Sequence, residues 1–262
     1  MKKLLLIGLV AVYSFSTEIT LGVVPQQSPL KLSKKWTKVT NYLYENTGIK
    51  VIFKTQRSIP KFEKELYSGK YDISYMNPYH FIVANKKQGY EAFTRANKNI
   101  VGIVLAKEKK IDFTKENLKG KTFLFPAPNA FAATLLPKFE FKKNFDFDID
   151  KDGKVLYVNS HDSVYKGISR EIGYLGGGIV RTFNNFLDKN DKDKLHIVYK
   201  TSAYPSHPIA AHPRVKKEIV EKIQNAFLTM PIELKKILSI KNFKKTDSSE
   251  YDIIREIGVK NK

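Results

Sequence analysis

Apolar residues recur along this chain in two alternating rhythms. Short continuous runs over 19–24 (ITLGVV), 49–53 and 71–76 (YDISYM) have the length and composition of buried strands. Between them, apolar residues fall at helical spacing. Pro25 ends the first run, and Ser28 and Pro29 then make a helix start: a capping hydroxyl, followed by a residue whose missing N–H is harmless at the first position. Leu32, Trp36, Val39 and Leu43 follow on one helical face until Gly48 stops it. A short helix over 60–68 closes at Gly69, and Pro78 opens another that runs to Gly89. After residue 100 the rhythm resumes, with strands expected over 100–106, 121–125, 154–158, 176–180 and 195–199. Helices are expected over 130–136, 162–172 and 181–187, and a long amphipathic one over 216–229. The polar stretches 141–153 and 188–194 read as surface excursions. Strand and helix in regular alternation predict mainly parallel sheet covered on both faces, arranged as two α/β lobes.

Residues 1–16 break the rhythm. Lys2 and Lys3 precede an apolar run over 4–12 interrupted only by Gly8, and Ser14 and Ser16 place small residues ahead of a cleavage after residue 16. This is the pattern of a secretory signal peptide. The run is short of the roughly 20 residues a membrane span needs, so the expected destination is the periplasm. The chain has no cysteine, which excludes lipid attachment through a cysteine, disulfides and thiolate metal sites.

A hydrophobic fraction of 42% is enough for real cores. The net charge of +20 comes almost entirely from lysines spread over every predicted helix and loop, the distribution of a solvated surface. No nucleic-acid-binding fingerprint is present, and a nucleic-acid partner is not expected. The five histidines, at 80, 161, 196, 207 and 212, show no metal-ligand spacing. No metal or cofactor is expected.

In open α/β sheets, ligands bind beyond the carboxyl ends of the strands, where loops feed helix N-termini. That rule selects four places: Gln26, Gln27 and Ser28; Asn77, Pro78, Tyr79 and His80; the loop 126–129 ending in Asn129, a candidate cap for the next helix; and Ser160, His161 and Asp162. Each offers unpaired backbone N–H groups and the positive end of a helix dipole, which suit an anion. A protonated His161 would donate to a ligand oxygen, while Tyr75, Tyr79 and Phe131 offer ring walls. Of these, Tyr75 lies within a strand and reads as core. Ser160, His161 and Asp162 are consecutive and diverge, so they make no catalytic triad. Gly176-Gly177-Gly178 matches no phosphate-loop pattern. No enzyme signature remains.

Several segments, in order, resemble one family. Segment 71–81 (YDISYMNPYHF) is similar to the first-lobe motif of the phosphate/phosphite/phosphonate substrate-binding proteins of ABC transporters. Segments 118–121 (LKGK) and 125–129 (FPAPN) resemble their second-lobe entry, as do 160–165 (SHDSVY) and 176–183 (GGGIVRTF) the two segments after it. Segment 204–210 (YPSHPIA) resembles the return to the first lobe. The resemblance implies a type II periplasmic binding protein, a Venus flytrap whose α/β lobes are joined by two crossovers. Lobe one would comprise 17–99 plus 196–262 and lobe two 100–195, after a signal peptide over 1–16.

A small anion would then lie in the cleft, touched at the family's positions by Tyr79, by Asn129 with the following amides of Ala130 and Phe131, and by His161. Gln26, Ser28, Asn77 and Ser160 join the candidates from the strand-end rule. Arg181 joins them because its planar fork suits an oxyanion. The protein would be a monomer that delivers its ligand to an ABC-transporter permease; the alternative partner is a membrane sensor kinase. In one place the chain departs from the family. Phosphonate binders usually carry a Ser-Thr-Ser-type run where this chain has Ala130-Phe131-Ala132-Ala133, which opens the alternative of a partly apolar ligand.

Overall fold

The structure is a computed structural model and describes residues 17–257; the segment 1–16, where the export signal is expected, lies outside the described residues. Eleven strands form two sheets among the described residues. The first contains β1 (Glu18–Val23), β2 (Lys50–Lys54), β3 (Ile73–Tyr75), β4 (Glu91–Ala96), β10 (Pro208–Ala211) and β11 (Phe243–Lys245), in the order β11-β4-β10-β3-β1-β2. The second contains β5 (Ile100–Ala106), β6 (Thr122–Phe125), β7 (Lys154–Tyr157), β8 (Leu175–Ile179) and β9 (His196–Tyr204), in the order β7-β6-β8-β5-β9.

Two of the expected helices start and stop where their caps put them. Ser28 caps Pro29–Thr47, with Leu32, Trp36, Val39 and Leu43 buried, and Gly48 ends it in the left-handed conformation. Asn77 caps Pro78–Gln88 and Gly89 ends it in the same way. Lys217–Leu228 is the long amphipathic helix, burying Ile223, Ala226 and Phe227.

Three expectations need correction. Neither sheet is mainly parallel: β2-β1-β3 and β7-β6-β8 are parallel triplets, but β10 runs antiparallel to β3 and β4, β11 to β4, and β5 to β8 and β9. The strands that run against the triplets are β5, β10 and β11; β5 and β10 are each the first strand entered after a passage between sheets, β4 to β5 and β9 to β10, so the chain enters each sheet against the direction of its parallel triplet. Second, residues 196–204 belong to the second sheet, since β9 pairs along β5 from Ile100↔Tyr204 to Ala106↔His196. By sheet membership the return falls at Pro205-Ser206-His207, not before His196. Third, 141–153 is no surface excursion. The helix Leu136–Phe145 buries Phe141, and Phe147 and Ile149 join Phe123 and Phe125 in the same core. In 188–194, likewise, Asp191 is buried and accepts from Ser169 Oγ at 2.6 Å.

The glycine triplet of β8 is what brings two segments close enough to form a site. On one face a π-helical turn, Phe131–Leu135, lies on the strand; a Cβ at Gly177 would stand 1.8 Å from the carbonyl oxygen of Ala133. On the other face the helix His161–Ser169 packs down; a Cβ at Gly176 would meet Ile168 Cγ1 at 2.6 Å and Val164 Cγ1 at 2.8 Å. The two contacts differ in kind. Side-chain tips can turn away, whereas a helical backbone carbonyl cannot move without moving its turn. Gly177→Ala is therefore expected to cost about 3 kcal/mol and Gly176→Ala about 1 kcal/mol, measured by urea unfolding. Equal losses would show that the turn at 131–135 is free to lift.

Candidate ligand-binding cleft

The carboxyl ends of β1, β3, β6 and β8, with the helix start after β7, converge between the lobes. At the end of β3, Asn77 Oδ1 accepts the His80 amide at 2.7 Å, the ordinary capping bond. Its Nδ2 donates across the cleft to the Asn129 carbonyl at 3.0 Å. Beyond β6, Ala130 is extended and the chain then enters the π turn, whose first helical donor is the Thr134 amide, bonded to Ala130 O at 2.7 Å. The preceding amides, of Phe131, Ala132 and Ala133, have no intrahelical partner. The expected Asn129 side-chain cap is not formed, because the cap position falls one residue later on Ala130, which has no side-chain oxygen. The Thr134 hydroxyl ties the turn to its own loop instead, donating to Ala127 O at 2.8 Å.

His161 opens the helix after β7. It is 3% exposed, and its Nδ1 has no hydrogen-bond partner. With Asn77, Gln26, Ala130 and Phe131 it lines a cavity of about 10 Å³, room for a single water-sized occupant. The Phe131 ring stands perpendicular to that of Tyr204, 5.8 Å between centroids, so it packs against β9 as well as bordering the cavity.

A second group of side chains holds the lobes together beside this cavity. Arg181, just past β8, donates from Nη1 to Tyr75 Oη at 2.9 Å and from Nη2 to Gln26 Oε1 at 2.8 Å. The bond to Oε1 turns the Gln26 amide nitrogen toward His207, 3.0 Å from its Nε2. His207 stacks on Tyr75 at 5.2 Å, and Tyr75 in turn rests on Trp36 at 5.1 Å. Tyr75 is thus core on one side and a cleft group at its hydroxyl. Nearer the mouth, Lys31 Nζ meets Asp162 Oδ2 at 2.7 Å and Lys35 Nζ donates to Gln27 Oε1 at 3.0 Å.

Of the expected site residues, Gln26, Asn77, Asn129, Ala130, Phe131, His161 and Arg181 come together here. Ser28 is exposed and engaged only in capping Lys31 N at 3.4 Å. Ser160 caps Ser163 N at 3.1 Å and shares its hydroxyl with Ser163 Oγ. Tyr79 packs beside His80, away from the cavity that Asn77 lines. His207, Lys35 and Trp36 were not singled out from the sequence. Among the described residues no group of three or more histidines and carboxylates could hold a metal ion, and no helix is long and apolar enough to cross a membrane.

A family model described as "ABC transporter, phosphonate, periplasmic substrate-binding protein" matches residues 21–251. The chain belongs to this family. Its fold is that of the binding-protein component of a phosphonate ABC transporter from Pseudomonas aeruginosa, with a TM-score of 0.81 at 17% identity over 93% of this chain and 86% of that one. It is equally that of PhnD1 from Prochlorococcus marinus, solved with methylphosphonate, with a TM-score of 0.83 at 17% identity over 92% and 97%. A Xanthomonas citri protein bound to ATP matches at a TM-score of 0.69 and 14% identity, over 92% and 96%. No curated protein sequence matches the chain.

In this member of the family the histidines of the cleft are neutral. Burial, opposed by Asp162 and reinforced by the Arg181 charge, brings His161 down to about 4. Burial, followed by Arg181, holds His207 well below its ordinary value. The expectation of a protonated His161 is therefore corrected: at neutral pH it donates as a neutral imidazole. The unfolded chain binds the His161 proton near pH 6.5 and the folded chain only near 4, so stability rises with pH across that window and is lost as pH falls through it. From pH 7 to pH 5, His161 alone accounts for a loss of about 2 kcal/mol. Thermal midpoints recorded over that range should fall for the native protein and fall less for His161→Gln. An unchanged slope in the variant would place the proton-linked group elsewhere.

Proposed function

We propose that this protein closes over a phosphonate-class anion between its lobes and hands it, unchanged, to the membrane permease of an ABC transporter. One observation carries the reading: residues 131–133 of the turn, whose leading amides lack intrahelical partners, and His161, whose buried imidazole is unpartnered at Nδ1, line one cavity between the lobes. Amides at a helix start meet an oxyanion's lone pairs with little reorganisation. The missing hydroxyls at 130–133 leave the backbone donors intact, which favours an oxyanion. Gln26, Asn77 and Arg181 complete the contact set; Ser28, Ser160 and Tyr79 do not belong to it.

Export by the segment 1–16 and release into the periplasm as a monomer fit this role, as does the absence of any nucleophile–base–orienter chain around Ser160, His161 and Asp162. A cavity of about 10 Å³ is smaller than a phosphonate. Uptake therefore requires the lobes to part about the links at 97–99 and 205–207 and to reclose on the ligand.

Methylphosphonate at about 100 times its dissociation constant should add roughly 2.7 kcal/mol of stability, a rise of several degrees in melting temperature for a chain of this size. His161→Phe, which keeps a ring and deletes the donor, should weaken methylphosphonate at least tenfold by titration calorimetry. Silence from methylphosphonate, phosphate and phosphite alike, in a protein that melts cooperatively, would sink the proposal.

A further inference from the structure

Arg181 carries an unbalanced charge. Among the described residues it makes no ion pair; its two partners, the Tyr75 hydroxyl and the Gln26 amide oxygen, are neutral. Of the five N–H donors of a guanidinium, three remain. A partly buried cation of this kind is ordinarily matched by a carboxylate. Here three cavities meet around Gln26, Arg181 and His207, and no aspartate or glutamate appears in the lining of any of them. Lys35, held by Gln27, faces the same side as Arg181, and its ammonium is pushed down by burial and then by the Arg181 charge. The carboxylate whose charge reaches Lys35, Asp162, is already engaged by Lys31. Three cations thus stand against one anion at this end of the cleft.

Resting on the reading just given, we infer that the ligand is a phosphonate bearing a second acidic group, a carboxylate or a phosphate, which seats on Arg181 while the phosphonate oxygens take the turn amides. The places for the two ends adjoin. Gln26 stands between the cavity of about 10 Å³ at the turn and one of about 40 Å³ beside Arg181 and Lys35. If the Gln26 side chain swings aside, the two join and the fork of Arg181 is freed for a bidentate pair. An aminoalkyl phosphonate would instead place an ammonium against Arg181 and Lys35 with no carboxylate to receive it. Like charges at such a distance in a partly dry cleft repel strongly.

The test is calorimetric titration of the full chain with three probes: methylphosphonate, phosphonoacetate and 2-aminoethylphosphonate. Phosphonoacetate should bind at least tenfold tighter than methylphosphonate, the gain of one charge-assisted contact, and 2-aminoethylphosphonate at least tenfold weaker. In Arg181→Met the ratio between phosphonoacetate and methylphosphonate should collapse toward one, whatever happens to the absolute affinities. In Arg181→Glu the order of the two charged probes should invert. Methylphosphonate binding with no added gain from the carboxylate, or a preference that survives Arg181→Met, overturns this inference and leaves the phosphonate reading standing. No binding by any of the three overturns both.

Discussion

Everything at the cleft depends on one close approach, the seating of the Phe131–Leu135 turn on the glycine strand β8. Carbonyl oxygens of a helical turn rarely come so near a sheet, because the strand's own side chains keep them off. Three glycines in a row remove that spacer on both faces together. The turn comes down on one side and the helix His161–Ser169 on the other, so a single strand sets the distance between the amide donors and the imidazole. Neither element needs a ligand to find its place. This is the arrangement that electrostatic recognition requires, since donors fixed in advance spend no free energy on being ordered when the anion arrives.

The two lobes meet through polar groups of unequal weight. The Lys31–Asp162 pair is partly exposed on both sides, and pairs of that kind contribute about 0–1 kcal/mol. The Asn77 bond to the Asn129 carbonyl and the Arg181 bonds to Tyr75 and Gln26 lie deeper, and opening the cleft must rehydrate them. Their net value is modest, because water replaces what the protein loses. A closed form held by such bonds is easily reopened, as a protein that must release its cargo requires. Neutral histidines serve the same end: charged imidazoles beside Arg181 would hold the lobes apart.

The parts of this fold legible in the sequence were those with a local cause. Ser28-Pro29 and Asn77-Pro78 announce helix starts because capping is settled within four residues, and Gly48 and Gly89 end those helices for the same reason. The strand-end rule pointed to Gln26, Asn77 and His161, and the planar fork of a guanidinium to Arg181, without a structure. What escaped depended on partners far along the chain. β4 reads as EAFTRA, with charges at Glu91 and Arg95 and no clean alternation, and is a strand because β10 and β11 flank it. The extension of β9 to Tyr204 follows from pairing with β5, which no local signal encodes. Asn129 looked like a cap because π geometry cannot be read from Ala130-Phe131-Ala132. His207 joins the cleft through a contact with Gln26 181 positions away.

The chain contains a single tryptophan, and its placement makes the molecule its own optical gauge. Trp36 rests on Tyr75 at 5.1 Å, and the hydroxyl of Tyr75 receives the bond from Arg181 of the opposite lobe. Indole emission responds to nearby charge and to water. Parting the lobes withdraws the guanidinium from the far side of the Tyr75 ring and wets its edge, while the indole itself stays fixed in the first lobe's core. The colour of one fluorophore therefore tracks the hinge, with no label attached and no ligand that absorbs light.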